Sequence, residues 1–190
     1  MPVGDFTING QPLKEGETSS LDKLLEVAAL CNGAKVDPPN DRNRNWSVIG
    51  DPTDGALLVT ALKYGQNIEE IKSEKPNIDL IPFSFERKRM STIHEYNNEI
   101  VIFTKGAPRN ILDVCSQVYV EGKIEALTKE NLDQIESQIH NFANEGLRVI
   151  ACSYKNVPKS EYKNKEDLEK DLIFVGLAGM RDPPRAEVKD

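Results

Sequence analysis

The chain has 190 residues, enough for one ordinary domain with a real core. Hydrophobic residues make up 38% and charged residues 29%, the balance of a soluble globular protein, and the net charge of -7 argues against DNA or RNA as a partner, because phosphate backbones demand a positive surface. No apolar run approaches the roughly 20 residues that span a bilayer, and Met1-Pro2 begins no signal peptide, so any membrane part lies elsewhere.

Residues 1 to 18 read as a turn-rich lead-in with Asn9-Gly10 as a hairpin turn. Ser19 or Ser20 can cap a helix from Leu21 to about Cys31, with Leu21, Leu24, Leu25 and Ala28 on one face. Residues 32 to 47 are polar, carry Pro38-Pro39 and the run Asp41-Arg42-Asn43-Arg44-Asn45, and read as a surface loop. Asp51-Pro52-Thr53-Asp54 opens a second helix, since proline suits a first turn and acids favour the positive end of the helix dipole. Gly65 ends it.

After Pro76 the pattern turns to strands. Met90 to Tyr96 and Glu99 to Thr104 flank the tight-turn pair Asn97-Asn98, and Val118 to Val120 and Lys123 to Glu125 flank Glu121-Gly122. Thr128 caps a long amphipathic helix whose Leu132, Ile135, Ile139 and Phe142 share a face and which Gly146 stops. Arg148 to Tyr154 and Leu172 to Met180 read as strands, and the charge-rich Lys159 to Asp171 between them as a solvated, helix-compatible surface segment. Hairpins mixed with helices give an α+β fold, a twisted antiparallel sheet flanked by helices. No internal repeat, Gly-x-Gly-x-x-Gly or Walker lysine loop occurs, so a bound nucleotide would not sit on a glycine-rich phosphate cradle.

Chemistry-bearing residues are sparse. Cys31, Cys115 and Cys152 are odd in number and widely spaced, the usage of reduced thiols in a cytosolic core. His94 and His140 are isolated and read as structural. Phe83 sits where an apolar strand becomes a charged segment, and reads either as a core ring or as a ring presented to a flat ligand. Lys105 follows the apolar run Ile100-Val101-Ile102-Phe103 and on its own reads as an ordinary strand-end lysine. Gly106 beside it lets another backbone or a ligand come close. Arg87, Lys88 and Arg89 make a local basic spot suited to a triphosphate, or a solubilising strand edge.

Five stretches, in order, carry a resemblance: Asp51-Pro52-Thr53-Asp54-Gly55-Ala56-Leu57, Pro82-Phe83-Ser84-Phe85-Glu86-Arg87-Lys88-Arg89-Met90-Ser91, Thr104-Lys105-Gly106-Ala107-Pro108, Gly146-Leu147-Arg148-Val149-Ile150-Ala151, and Val175 to Arg185. Together they resemble the nucleotide-binding domain of P-type cation-transporting ATPases, leaning towards calcium-type pumps. The resemblance implies a single nucleotide-binding domain over residues 1–185 and a hinge stub over 181–190, where Asp182-Pro183-Pro184-Arg185 stiffens the backbone towards an absent phosphorylation domain. It implies an ATP site of Thr53, Asp54, Phe83, Lys88, Lys105, Gly106, Arg148 and Ile150, with no catalytic residue and no metal ligand here. Phe83 would stack adenine, Lys105 would lie deep in the adenine pocket with Lys88 across from it, and Arg148 would reach the phosphates. Asp54 stands where the family has Glu, one methylene longer, and Phe85 and Arg109 are further departures.

The implied role is delivery of ATP (as Mg-ATP, its magnesium held mainly by the absent domain) to an aspartate on the phosphorylation domain, with the actuator domain a further partner. The implied setting is the cytoplasmic part of an integral membrane protein, the isolated piece being soluble and monomeric, binding ATP without hydrolysing it. Two other readings stand beside it: a protein-interaction module with a vestigial pocket, favoured by Phe85, Asp54 and Arg109, and a self-contained small enzyme such as a phosphatase, disfavoured by the lack of a nucleophile-base pair.

Overall fold

Two pairs of residues in left-handed backbone fold the chain back on itself: Asn97 and Asn98 at φ 50° and 63°, and Glu121 and Gly122 at φ 47° and 85°. Positive φ at both central residues is the tight hairpin turn whose twist matches paired strands, and the sequence marked both. The structure is a computed structural model that describes residues 4–8, 11–13, 19–39, 41 and 44–181. In chain order its elements are β1 (Thr7–Ile8), β2 (Gln11–Pro12), α1 (Ser19–Leu30), β3 (Lys35–Asp37), β4 (Ser47–Ile49), α2 (Pro52–Lys63), α3 (Ile68–Glu74), β5 (Asn77–Ile81), β6 (Arg89–Tyr96), β7 (Glu99–Gly106), α4 (Pro108–Leu112), β8 (Cys115–Val120), β9 (Lys123–Ala126), α5 (Lys129–Asn144), β10 (Arg148–Pro158) and β11 (Leu172–Met180).

The fold is α+β, as the sequence predicts. Seven strands form one sheet in the order β5-β6-β7-β10-β11-β8-β9. Every neighbour is antiparallel except β11 and β8, which run parallel with Leu172 opposite Cys115. No local signal marks that pairing: the β8–β9 hairpin is closed by its own turn, and its docking on β11 is set by contacts distant in sequence.

Alternation along the central strand β7 sorts the core into two faces. Val101 and Phe103 point to one side and meet Val27 and Leu30 of α1 and Cys31 just after it, with Cys152, Tyr154, Ile173 and Val175 from the neighbouring strands. Ile100 and Ile102 point to the other side and meet Ile93, Val157 and Leu168. Further along that side Ile111 and Leu112 of α4 join Val118, Ala151 and Phe174, under Leu132, Ile135 and Ile139 of α5. Period two therefore sends Lys105 to the α1 face, at its rim. Thr128 opens α5 with a capping box, its Oγ1 accepting from the Asn131 amide at 3.2 Å.

Several expectations are corrected. The helix α1 begins at Ser19, so the serines lie in its first turn, and Ser20 Oγ instead accepts from the Glu121 amide at 3.0 Å. Residues 32 to 47 are not all loop: β3 pairs with β4, Val36 opposite Val48. The helices α3 and α4 were not foreseen, although Asn67 caps α3 through the Glu70 amide and Pro108 opens α4. The strand β7 runs through Gly106 and β10 through Pro158. The segment 159–171 is no solvated helix. It makes two 3-10 turns, Lys159–Glu161 and Lys165–Asp167, and buries Leu168 and Glu169. Thr7 pairs with Pro12 and Ile8 with Gln11, but the Asn9-Gly10 turn, Arg42-Asn43 and the 182–185 hinge lie outside the described residues.

His94 is structural, and its burial has a pH consequence. Its Nδ1 lies 2.7 Å from the Lys75 carbonyl oxygen, its ring packs edge-on against Phe103, and its Nε2 is buried with no hydrogen-bond partner among the described residues. Burial holds the imidazole below its ordinary pKa of 6.5, against the pull of the Lys75 carbonyl. The unfolded chain therefore binds the proton more readily than the folded one. His94 contributes stability in full above about pH 6.5, and that contribution declines as pH falls towards its folded pKa, by at most about 1.4 kcal/mol per pH unit. Urea midpoints at pH 7.5 and 5.5 should drop for the wild type and drop less for His94→Gln; an equal drop in both would remove His94 from the effect.

Candidate functional site

The start of α2 sets one wall of a cleft. Asp51 caps the helix, its Oδ1 accepting from the Thr53 amide at 2.8 Å and the Asp54 amide at 3.3 Å. Burial would raise the Asp51 pKa, but these hydrogen bonds outweigh it and hold the carboxyl below its ordinary value. Asp54 points inward. Its Oδ1 accepts from Lys105 Nζ at 2.5 Å, its Oδ2 from the Gly33 amide at 2.9 Å, and its backbone carbonyl from Asn32 Nδ2 at 2.8 Å. The turn that follows α1 thus fixes Asp54, the Gly33 amide holding the carboxylate that receives the lysine and Asn32 its backbone.

Lys105 is only 5% exposed. Its ammonium lies near Cys31 and Cys152, and burial pushes those thiols up to about 11 and about 12 despite the lysine's charge. Both thiols are therefore neutral at ordinary pH, and Asp54 is the counter-ion. Cys115 is likewise inert, its thiol pushed up to about 12 by burial.

Gly106 is glycine for a reason the sequence left open. A Cβ there would stand 2.4 Å from the Lys88 carbonyl oxygen and 2.6 Å from Arg89 Cβ. Another backbone takes the vacant space, and the contact is sealed by the Ala107 amide donating to the Lys88 carbonyl at 2.9 Å. Lys88 itself has φ 52°, left-handed backbone in a non-glycine residue.

The β5–β6 connection forms the opposite wall. Phe83 is 53% exposed and meets Phe85 edge-to-face, centroids 5.7 Å apart at 83°. Phe85 is 90% exposed, so it does not simply pack in a core. At the third wall, the start of β10, Arg148 Nη1 donates to Thr53 Oγ1 at 3.2 Å, tying that strand to α2.

The cleft has a volume of about 580 Å³, within the usual range for a small-molecule pocket. Thr53, Asp54, Phe83, Lys88, Lys105, Gly106, Arg148 and Ile150, scattered over the sequence, all border it. So do Asp51, Phe85, Met90, Ala107 and Val149, which the sequence did not single out as lining residues; Met90 was findable, since it faces Lys105 across the β6–β7 register. A second hollow, about 660 Å³ along α5, is lined by Lys129, Glu130, Asp133, Gln134, Ser137 and Gln138 and offers no ring or apolar wall.

The basic spot is smaller than its sequence suggested. Arg87 Nη1 donates to both oxygens of Glu169 at 2.8 and 2.7 Å, and Arg89 Nε donates at 2.9 Å. Of the three consecutive cations only Lys88 borders the cleft. The chemistry on offer is an exposed aromatic face, an apolar interior, and ammonium and guanidinium groups at floor and rim: a geometry for holding a planar, anionic-tailed ligand.

Residues 20–187 match the sequence profile of the family described as P-type ATPase, cytoplasmic domain N. The chain is similar to a calcium-transporting ATPase of Bacillus subtilis, 35% identical over 189 residues, covering 99% of this chain and 21% of the relative. Calcium-transporting ATPase 1 of Lactococcus lactis is 36% identical over 169 residues, 88% of this chain and 18% of the relative. The cation-transporting ATPase pma1 of Synechocystis is 35% identical over 193 residues, 98% of this chain and 21% of the relative. The chain thus spans about a fifth of the length of these curated relatives. No helix among the described residues is long and apolar enough to cross a membrane.

Proposed function

This chain belongs to the P-type ATPase family as its cytoplasmic N domain, and from that premise we propose that its cleft binds ATP by the adenine and offers the phosphates to an aspartate on the phosphorylation domain of the same pump. The observation that carries this reading is the pairing of an exposed Phe83 ring with a buried Lys105 ammonium in one cleft. Phe83 supplies the stacking face. Lys105, largely desolvated, acts more strongly on a nucleotide than a surface lysine would. Lys88 and Arg148 stand at the rim for the phosphates, the guanidinium fork suiting them. Thr53 orients Arg148 through their hydrogen bond. Ile150 lines the wall. Gly106 acts by letting the Lys88 backbone close in.

Asp54 serves less as a reader of the adenine amine than as the counter-ion of Lys105, because both its oxygens already have protein donors. The shorter side chain, a departure from the family's Glu, suits that role. The cleft carboxylates do not fit a magnesium ion: Asp51 is spent on its helix cap and Asp54 on the lysine. The metal that accompanies ATP is assigned to the other domain. Phosphoryl transfer is chiefly positioning and charge neutralisation, so a domain that positions the nucleotide contributes without a nucleophile of its own. The parent protein is read as a calcium-type pump in a membrane, with this domain, the phosphorylation domain and the actuator domain on its cytoplasmic side.

With one stacked base and few rim charges, the dissociation constant is expected on the order of 0.1–1 mM. An NMR titration with ATP tests the reading: amide shifts should cluster on Thr53, Phe83, Lys88 and Lys105, with no phosphate released. The 90% exposure of Phe85 favours one alternative, a docking module; absence of shifts at several millimolar ATP would select it, and phosphate release would select a self-contained enzyme.

A further inference from the structure

Glu169 is a buried carboxylate on the segment that precedes β11, and the delivery chemistry gives it no task. It receives Arg87 Nη1 on both oxygens, Arg89 Nε at 2.9 Å, and Ser91 Oγ at 2.7 Å; Ser91 in turn lies 2.8 Å from Thr104 Oγ1 on β7. A buried charge is tolerated only where it is paired and hydrogen-bonded this fully.

The network leads into the cleft wall. Besides Glu169, Arg87 holds the Pro82 carbonyl oxygen, the acceptor immediately before Phe83, through Nη2 at 2.5 Å. The same loop is cross-tied by the Lys88 amide to the Ser84 carbonyl at 2.7 Å and the Arg87 amide to Ser84 Oγ at 3.2 Å. One path therefore runs Glu169, Arg87, Pro82, Phe83. A second runs Glu169, Arg89, Lys88, where Arg89 begins β6 and Lys88 sits in left-handed backbone.

We propose that Glu169 is a positioning residue for the cleft: it clamps the 82–89 loop through Arg87 and Arg89, so that the Phe83 ring and Lys88 are presented in fixed places. This rests on the reading of the cleft as an ATP site. The clamp also keeps two guanidinium groups off the phosphates, which makes the adenine end the principal holdfast. A rigid ring costs less to order on binding than a loose one, so loss of the clamp appears as weaker binding of the base.

The test measures ATP and adenosine affinities by NMR titration of the 190-residue chain as wild type, Glu169→Gln, Arg87→Met and the double variant, well below each melting temperature. Both ligands should lose at least about fivefold in each single variant, the low end of one base–aromatic stack. The double variant should lose about as much as the worse single one and less than the two losses combined, because both single variants break the path through Arg87. Unchanged affinities with only a lower melting temperature would assign the network to stability alone and overturn the proposal. So would a gain for ATP with adenosine unchanged, the mark of arginines merely released towards phosphate. Should Glu169→Gln not fold, Arg87→Met decides by the same readout. Should the wild type bind neither ligand, the ATP reading fails and the clamp is judged separately: faster amide exchange over residues 83–88 in Arg87→Met supports it, and unchanged exchange overturns it.

Discussion

Replacing Lys105 by glutamine destabilises the folded chain by about 3–5 kcal/mol and removes ATP binding with it, the first number being that of a buried pair broken on one side. From the sequence alone, loss of this lysine would abolish nucleotide binding and spare the fold. The structure changes that expectation. Lys105 and Asp54 are mutually paired and largely out of water, so an isolated Lys105→Gln leaves the Asp54 carboxylate uncompensated. The double variant Asp54→Asn/Lys105→Gln separates the two roles: it should regain most of the lost stability, by urea denaturation, while ATP affinity stays abolished. If the double variant bound ATP as the wild type does, the lysine would have no part in nucleotide recognition. If the single variant lost under about 1 kcal/mol, the pair would rank with ordinary surface ion pairs.

Phe83→Ala is expected to do the reverse. ATP affinity should fall by about 5- to 150-fold, equivalent to the roughly 1–3 kcal/mol of one base–aromatic stack, with little loss of stability. The ring is half exposed, so its removal opens no core cavity; the fold forfeits only the edge contact with Phe85. Calorimetric titration with ATP and a thermal melt on the same sample check both halves. A fall in melting temperature matching that of a core truncation would make Phe83 a packing residue, and unaltered affinity would move the base elsewhere in the cleft.

What the sequence disclosed follows the range of the forces involved. The turns at Asn97-Asn98 and Glu121-Gly122 are set by neighbours along the chain, and the cap at Thr128 by a side chain three residues away, so all three could be read locally. The cleft residues were legible only through their likeness to a family's motifs. Register brings them together: Met90 lies opposite Lys105, and Lys105 opposite Cys152. Glu169 was missed because a glutamate among Glu166, Asp167, Lys170 and Asp171 looks like one more solvated charge. Its partners sit about 80 residues upstream, at sequence separations of 82 and 80. The sequence marks Gly106 but leaves its cause open, since nothing local distinguishes a space kept for a ligand from one filled by the Lys88 backbone.

The pairing of Arg148 with Met180 places the departure of the chain from β11 directly beside the guanidinium rim of the cleft. Adjacent strands lie about 4.8 Å apart, so Arg148 stands one spacing from that departure point, whereas Arg89 on β6 stands three spacings across the sheet, about 14 Å, and is also displaced along it, its register running through Gly106 and Ala151 to Leu177. If the domain turns about its exit, the walls of the cleft travel unequal arcs: Arg148 beside the pivot barely shifts, while Lys88 and the aromatic wall sweep widely. A small rotation would then tilt the cleft far more than it displaces its Arg148 edge, as a key turns about its tip.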